Sequence, residues 1–155
     1  MILVVCTDDS NLISVANRSI LKYPLVYGQR YQVFHDDLPM LKADENLFII
    51  AHGAFLGDNG LPVIGDGDTN RDFYINGNTL YQSLASKFPP DYVGNVYIDA
   101  CESADNTEEM LSFAETFYVY FAVDHQNSGV FGINGASSGL IPLPDNPKWI
   151  PVTLQ

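Results

Sequence analysis

At 155 residues the chain is about one domain's worth, and folding at that size buries roughly two-thirds of the surface an unfolded chain exposes. Apolar residues make up 46% of it, too many for a disordered segment, while seven Lys and Arg against nineteen Asp and Glu leave a net charge of -12. That balance is a poor match to nucleic acid or an anionic membrane, and a basic or neutral partner suits it better.

The opening MILVVCTDDS has no basic leader and too short an apolar run for a signal peptide or a membrane span. It is expected to form a first strand, Ile2 to Cys6. Ser10 is placed to cap a helix whose apolar positions Leu12, Ile13, Ala16 and Ile20 follow the helical period, with Pro24 as its stop. A second strand is expected around Tyr31 to Phe34. Leu47 to Ala51, LFIIA, is a continuous apolar run suited to a central strand covered on both faces, and it ends in His52-Gly53.

Leu61 to Ile64 and Phe73 to Ile75 flank a Gly- and Asp-rich tip and predict a hairpin on the rim of the sheet. A helix is expected from Asn78 to about Phe88, with Leu80, Leu84 and Phe88 on one side. Asn95 to Ala100 gives another central strand. Asn106, with Glu109 three residues on, resembles a capping box for a helix bearing Met110, Leu111, Ala114, Phe117, Tyr118 and Phe121. Val130 to Ile133 is a further strand, followed by Asn134 to Gly139 and a Pro-rich tail. Strands alternating with helices predict an α/β domain with a mostly parallel central sheet, and no repeat or linker divides residues 1–155.

Two central strands therefore end in reactive side chains, His52 on one and Cys101 on the next. In an open parallel sheet the carboxyl ends of the strands share one edge, where ligands bind. An imidazole beside a thiol can act as its base, and a helix start near Asn106 would favour the thiolate; Asp99 and Glu102 would oppose it. Gly53 lets a carbonyl approach the backbone, so its N–H and that of Cys101 can form an oxyanion hole.

An apolar strand ending His-Gly, about fifty residues before one ending Ala-Cys, resembles the caspase-like cysteine peptidases: caspases, metacaspases, legumain, gingipain-type enzymes and the bacterial CHAT and toxin-processing domains. IDACES is similar to the legumain-type sequence around the nucleophile, and the hairpin and Leu80-rich helix look more like the bacterial members. The resemblance implies a three-layer fold with helices on both faces of the sheet and a small hairpin after His-Gly. It implies a cysteine endopeptidase with His52 as base, Cys101 as nucleophile and no cofactor or metal. Asp99, two before the cysteine, would line the pocket for the residue preceding the cut and favour Lys or Arg, with Asn also open. Asn134 and Ser137 would belong to a pocket wall. The chain shows no second subunit or activation loop, so self-processing is not expected.

Other readings compete. A domain of this fold that binds basic peptides without turnover would look much the same in sequence. A flavodoxin-like ligand domain would need a phosphate-cradling loop, and Thr7-Asp8-Asp9-Ser10 is too acidic for one. Asp8-Asp9 is similar to the acidic pair of a phosphate-receiver site, but the middle strand ends in histidine. Asp66, Asp68, Asn70 and Asp72 alternate like a calcium loop, yet Arg71 and Gly77 stand where glycine and glutamate are needed, so a solvated hairpin tip is expected. Cys6 fits as a packing residue, and His35 and His125, beside Asp36 and Asp124, as surface or satisfied histidines. Two cysteines at the ends of apolar runs make no disulfide framework and point to a reducing, cytoplasmic setting.

Overall fold

The computed structural model describes residues 1–5, 9–54, 62–65 and 74–153. Cys6, Asp8, Leu61, the calcium-like Asp66 to Asp72 stretch and Phe73 lie outside the described residues. In chain order the elements are β1 (Ile2–Val4), α1 (Ser10–Lys22), α2 (Pro24–Tyr27), β2 (Arg30–Gln32), β3 (Leu47–Ile50), β4 (His52–Ala54), β5 (Val63–Gly65), β6 (Tyr74–Asn76), α3 (Gly77–Leu84), β7 (Val96–Asp99), α4 (Phe113–Asp124), β8 (Val130–Gly132) and β9 (Ile150–Pro151).

Six strands form one mixed, mostly parallel sheet in the order β2-β1-β3-β7-β8-β9, with β9 antiparallel at one edge. β1, β3 and β7 are buried along their whole length, as apolar runs in the middle of a sheet should be, with Asp99 at the end of β7 the one charged residue among them. Alternate residues feed two separate cores. Leu3, Leu47, Ile49, Val96 and Ile98 pack with Leu80 and Leu84 of α3 and Phe113, Phe117 and Phe121 of α4. Ile2, Val4, Phe48, Ile50 and Tyr97 pack with Ala16 of α1, Tyr27 of α2 and the later Ile141 and Trp149. On this second face an aromatic row crosses the strands: Tyr27 meets Phe48 edge-on at 4.8 Å, Phe48 stacks on Tyr97 at 5.0 Å, and Tyr97 stacks on Phe131 at 4.9 Å. Such same-face pairs fix the register, because a one-residue slip would turn every ring to the other core.

The layout departs from the sequence reading at element ends. Asp9, not Ser10, caps α1, since its carboxylate reaches the Asn11 and Leu12 N–H groups and Ser10 opens the helix. β1, β2, β3, β7 and β8 are shorter than expected, and Ala85 to Lys87 continue α3 as a tight 3-10 turn rather than as α-helix. The helix expected from Asn106 starts at Phe113. Its capping box is Ser112 with Glu115, and the Asn106 amide instead donates to the Glu115 carboxylate at 2.9 Å. His52–Ala54 is itself a strand, antiparallel to β5, which pairs with β6, so the expected hairpin is part of a separate three-stranded sheet.

The path of the chain also locates a seam. β1 leads through α1, on the Tyr27 face, to β2 on one side, whereas β3 leads through α3, on the Phe117 face, to β7 on the other. The reversal between β1 and β3 is a topological switch point, where open α/β sheets leave a crevice beyond their carboxyl ends.

Candidate active site

Three side chains follow the ends of three neighbouring strands: Asp9 after β1, His52 after β3 and Cys101 after β7. Asp9 is buried by its role as the cap of α1, with Oδ1 accepting from Asn11 N–H at 2.9 Å and Leu12 N–H at 3.0 Å. Its second oxygen, Oδ2, lies 2.5 Å from His52 Nε2. Burial would raise the Asp9 carboxyl, but the Leu12 N–H, His52 and the Asn11 N–H together outweigh it and hold the group below its ordinary value. An ionised carboxylate only accepts, so Nε2 carries a proton, which in the neutral ring leaves the lone pair on Nδ1. The His52 side chain is 41% exposed and the Asp9 side chain 7%, so one face of the imidazole is free while its orienting partner is not.

The β3–β7 register sets Ile50 opposite Asp99, and Ala51 N–H still donates to the Asp99 carbonyl at 3.4 Å. Beyond this point Gly53 lies against the backbone of Cys101. A Cβ built on Gly53 would fall onto the Cys101 carbonyl, with the Cys101 nitrogen at 3.0 Å, so only glycine admits the contact. Gly53 is thus required for backbone proximity, a firmer reason than an oxyanion role alone.

Cys101 sits at the apex of a tight turn. Ser103 N–H donates to the Ala100 carbonyl at 3.2 Å, and the third turn residue, Glu102, has φ 59°. A turn of this kind favours glycine there, so a glutamate stores strain of about 1–2 kcal/mol. The strained residue is held by its N–H to the Gly135 carbonyl at 2.7 Å. Below the turn, the buried Ser103 hydroxyl donates to the Ile98 carbonyl at 2.9 Å and accepts from Ile133 N–H at 2.8 Å. The Cys101 N–H donates to no acceptor among the described residues. Because α4 begins only at Phe113, the helix N-terminus nearest the histidine is that of α1, occupied by Asp9, and no helix starts near Asn106 to favour a thiolate.

Ser137 touches both Cys101 and Asp99. Its N–H donates to Cys101 Sγ at 3.3 Å, and Sγ faces its carbonyl at 3.7 Å. Its hydroxyl donates to the Asp99 carboxylate. Asp99 is 7% exposed, and burial pushes its carboxyl up to about 6 against the smaller opposing effects of the Ser137 hydroxyl and the Lys148 charge. No cation among the described residues is within ion-pair distance of it. Asn134 is exposed and does not meet Asp99; it borders a cavity of about 590 Å³ with Glu102, Asp105 and Gly135, next to the Cys101 turn.

The structure therefore joins Asp9 to His52, Gly53 to Cys101, and Ser137 to both Cys101 and Asp99, and leaves Asn134 on the rim. Sequence reasoning misses Asp9. A signal exists, since Asp9 follows the strand that flanks LFIIA, but using it requires knowing that β1 and β3 are neighbours. Among the described residues no cluster of His, Cys, Asp and Glu could hold a metal ion, and no helix is long and apolar enough to cross a membrane. Neither a family model nor a curated protein nor a solved structure matches the chain.

Proposed function

We propose that this chain is a caspase-like cysteine endopeptidase that cuts after a basic residue, Arg or Lys, or after Asn. The observation that carries the reading is the packing of Gly53, the residue after His52, against the Cys101 backbone, with Asp9 bonded to Nε2 of the imidazole. In this reading the sheet with helices over both cores is the three-layer caspase-like arrangement.

His52 Nδ1 takes the proton from Cys101 Sγ, and the thiolate attacks the scissile carbonyl carbon. The oxyanion is received by the Cys101 and Gly53 N–H groups, each such donor being worth about 3 kcal/mol. Collapse breaks the C–N bond, the imidazolium protonates the departing amine, and water then hydrolyses the thioester. Asp9 does not touch substrate; it holds the ring in one tautomer and stabilises the imidazolium. Asp99, buried and with no cation within ion-pair distance among the described residues, is the pocket carboxylate that prefers a basic side chain.

Fluorogenic peptides with Arg, Lys, Asn or Asp before the cut, assayed with wild type and Cys101→Ala, test the reading. Hydrolysis confined to wild type supports it; no hydrolysis of any peptide, together with no alkylation of Cys101 by iodoacetamide, retires it. A peptide-binding module without turnover is the second reading, favoured by the engagement of Sγ by Ser137. Basic-peptide affinity undiminished in Cys101→Ala, without cleavage by wild type, would select it.

A further inference from the structure

One short segment contacts the half-buried Cys101 and the buried Asp99 at once. Gly135 and Gly139 both have positive φ, 65° and 83°, with open space where a Cβ would be. Between them Ser137 turns inward, bonded through its backbone N–H to Cys101 Sγ and through its hydroxyl to Asp99, while Ala136 and Ser138 on either side are exposed. The segment is anchored at its base, where Gly135 accepts from Glu102 N–H at 2.7 Å and donates to Asp105 at 2.9 Å. Its other connections are few, as expected of a strap that swings on two glycines.

We propose that residues 135–139 form a self-capping strap in which Ser137 stands in for substrate at Asp99, so that a guanidinium or ammonium group opens the site by displacing it. The inference rests on the peptidase reading for the role of Asp99, but its physical content is a competition for one carboxylate. The Ser137 hydroxyl is a neutral donor; a guanidinium is charged and bidentate and binds a buried carboxylate more strongly. The hydroxyl alone could leave Asp99 by rotating about χ1, so the proposal is specifically that the incoming cation, needing the space Ser137 fills, displaces the whole residue and takes its N–H from Sγ. Binding of the correct side chain and exposure of the thiol are then the same event, which adds selectivity to a site whose unliganded state is closed.

The test measures the rate at which Cys101 is alkylated by iodoacetamide, read by mass spectrometry of the cysteine-containing peptide, with and without agmatine as the guanidinium probe. Wild type is expected to react about ten-fold faster with saturating agmatine, the factor that loss of one hydrogen bond to a charged group produces. Ser137→Ala is expected to react at the faster rate without agmatine, and Asp99→Asn to lose the agmatine response. Thermal melts of each variant, together with the alkylation rate of unfolded protein, separate opening of the strap from loss of fold. A folded Ser137→Ala protein that reacts at the wild-type rate overturns the proposal, as does agmatine that leaves the wild-type rate unchanged or slows it. Because alkylation requires no peptide cleavage, the strap can fail in an active peptidase or hold in a chain that never cleaves.

Discussion

Asp9 Oδ2 and His52 Nε2 meet at 2.5 Å although 43 residues separate them, across the seam where the sheet reverses its winding. The contact joins two duties in one carboxylate: one oxygen caps α1 and the other orients the imidazole. These duties can be separated by mutation. Asp9→Asn keeps a good helix cap and loses the charge, so its melting temperature is expected to stay within a few degrees of wild type while kcat/KM for a basic-residue substrate falls by on the order of 10²–10⁴-fold, mostly in kcat. Asp9→Ala loses about 1 kcal/mol of stability in addition. Equal activity of Asp9→Asn and wild type would remove Asp9 from the site.

Gly53→Ala is expected to be among the most damaging single-methyl changes in the chain. Its new carbon would run into the Cys101 carbonyl, backbone that has no free rotamer to retreat into. A loss of about 1–3 kcal/mol in urea unfolding is expected, with hydrolysis falling out of proportion to the folded fraction.

Asp99 makes stability fall as pH rises. Its folded-state value of about 6 lies above the ordinary 3.8, so the folded protein binds this proton more tightly than the unfolded chain does, and stability declines between roughly pH 4 and 6 as the group ionises. A displacement of that size corresponds to on the order of 3 kcal/mol. Asp99→Asn should remove this slope and be more stable than wild type above pH 6, as measured by urea midpoints from pH 4 to 8. In wild type, preference for Arg or Lys should strengthen above pH 6.

His125 acts with the opposite sign. It is buried against Phe88, Tyr92 and Phe121, with Nδ1 lacking a hydrogen-bond partner among the described residues, and burial holds its pKa below the ordinary 6.5 despite Asp124. The unfolded chain therefore takes up this proton first, and stability is lost as pH falls below about 6.5. His125→Phe, filling the same aromatic cluster, is expected to be less acid-sensitive by circular dichroism.

Glu102→Gly relieves the positive φ at the turn that presents Cys101. The gain of about 1 kcal/mol or more from removing the strain is partly offset by the greater freedom of glycine in the unfolded chain, so a small net rise in melting temperature is expected.

The central sheet is legible in the sequence because LFII is apolar throughout and VYID is apolar up to its final Asp99, and strand direction alone places the His-Gly and Ala-Cys endings on one rim. Other features are not legible. The start of α4 is ambiguous because Asn106 with Glu109 has the same spacing as the working cap, Ser112 with Glu115, and only the docking of the α4 start on Ser103 distinguishes them. β4 is hidden because three residues, one of them glycine, show no period. Asp9 gives no local sign of its role, because pairing it with His52 depends on strand order, which no local pattern encodes. His125, expected on the surface or satisfied, is buried with one nitrogen unpartnered among the described residues, because the aromatic cluster around it draws from α4, Phe88 and Tyr92 together.

The parallel register of β1, β3 and β7 has a consequence during synthesis and folding. Three chain segments must be aligned to the residue before Asp9, His52 and Cys101 share one edge of the sheet, so a partly assembled chain lacks the arrangement. On the peptidase reading, reactivity would be gained only at the last stage of becoming native, and unfinished copies would be harmless to their neighbours.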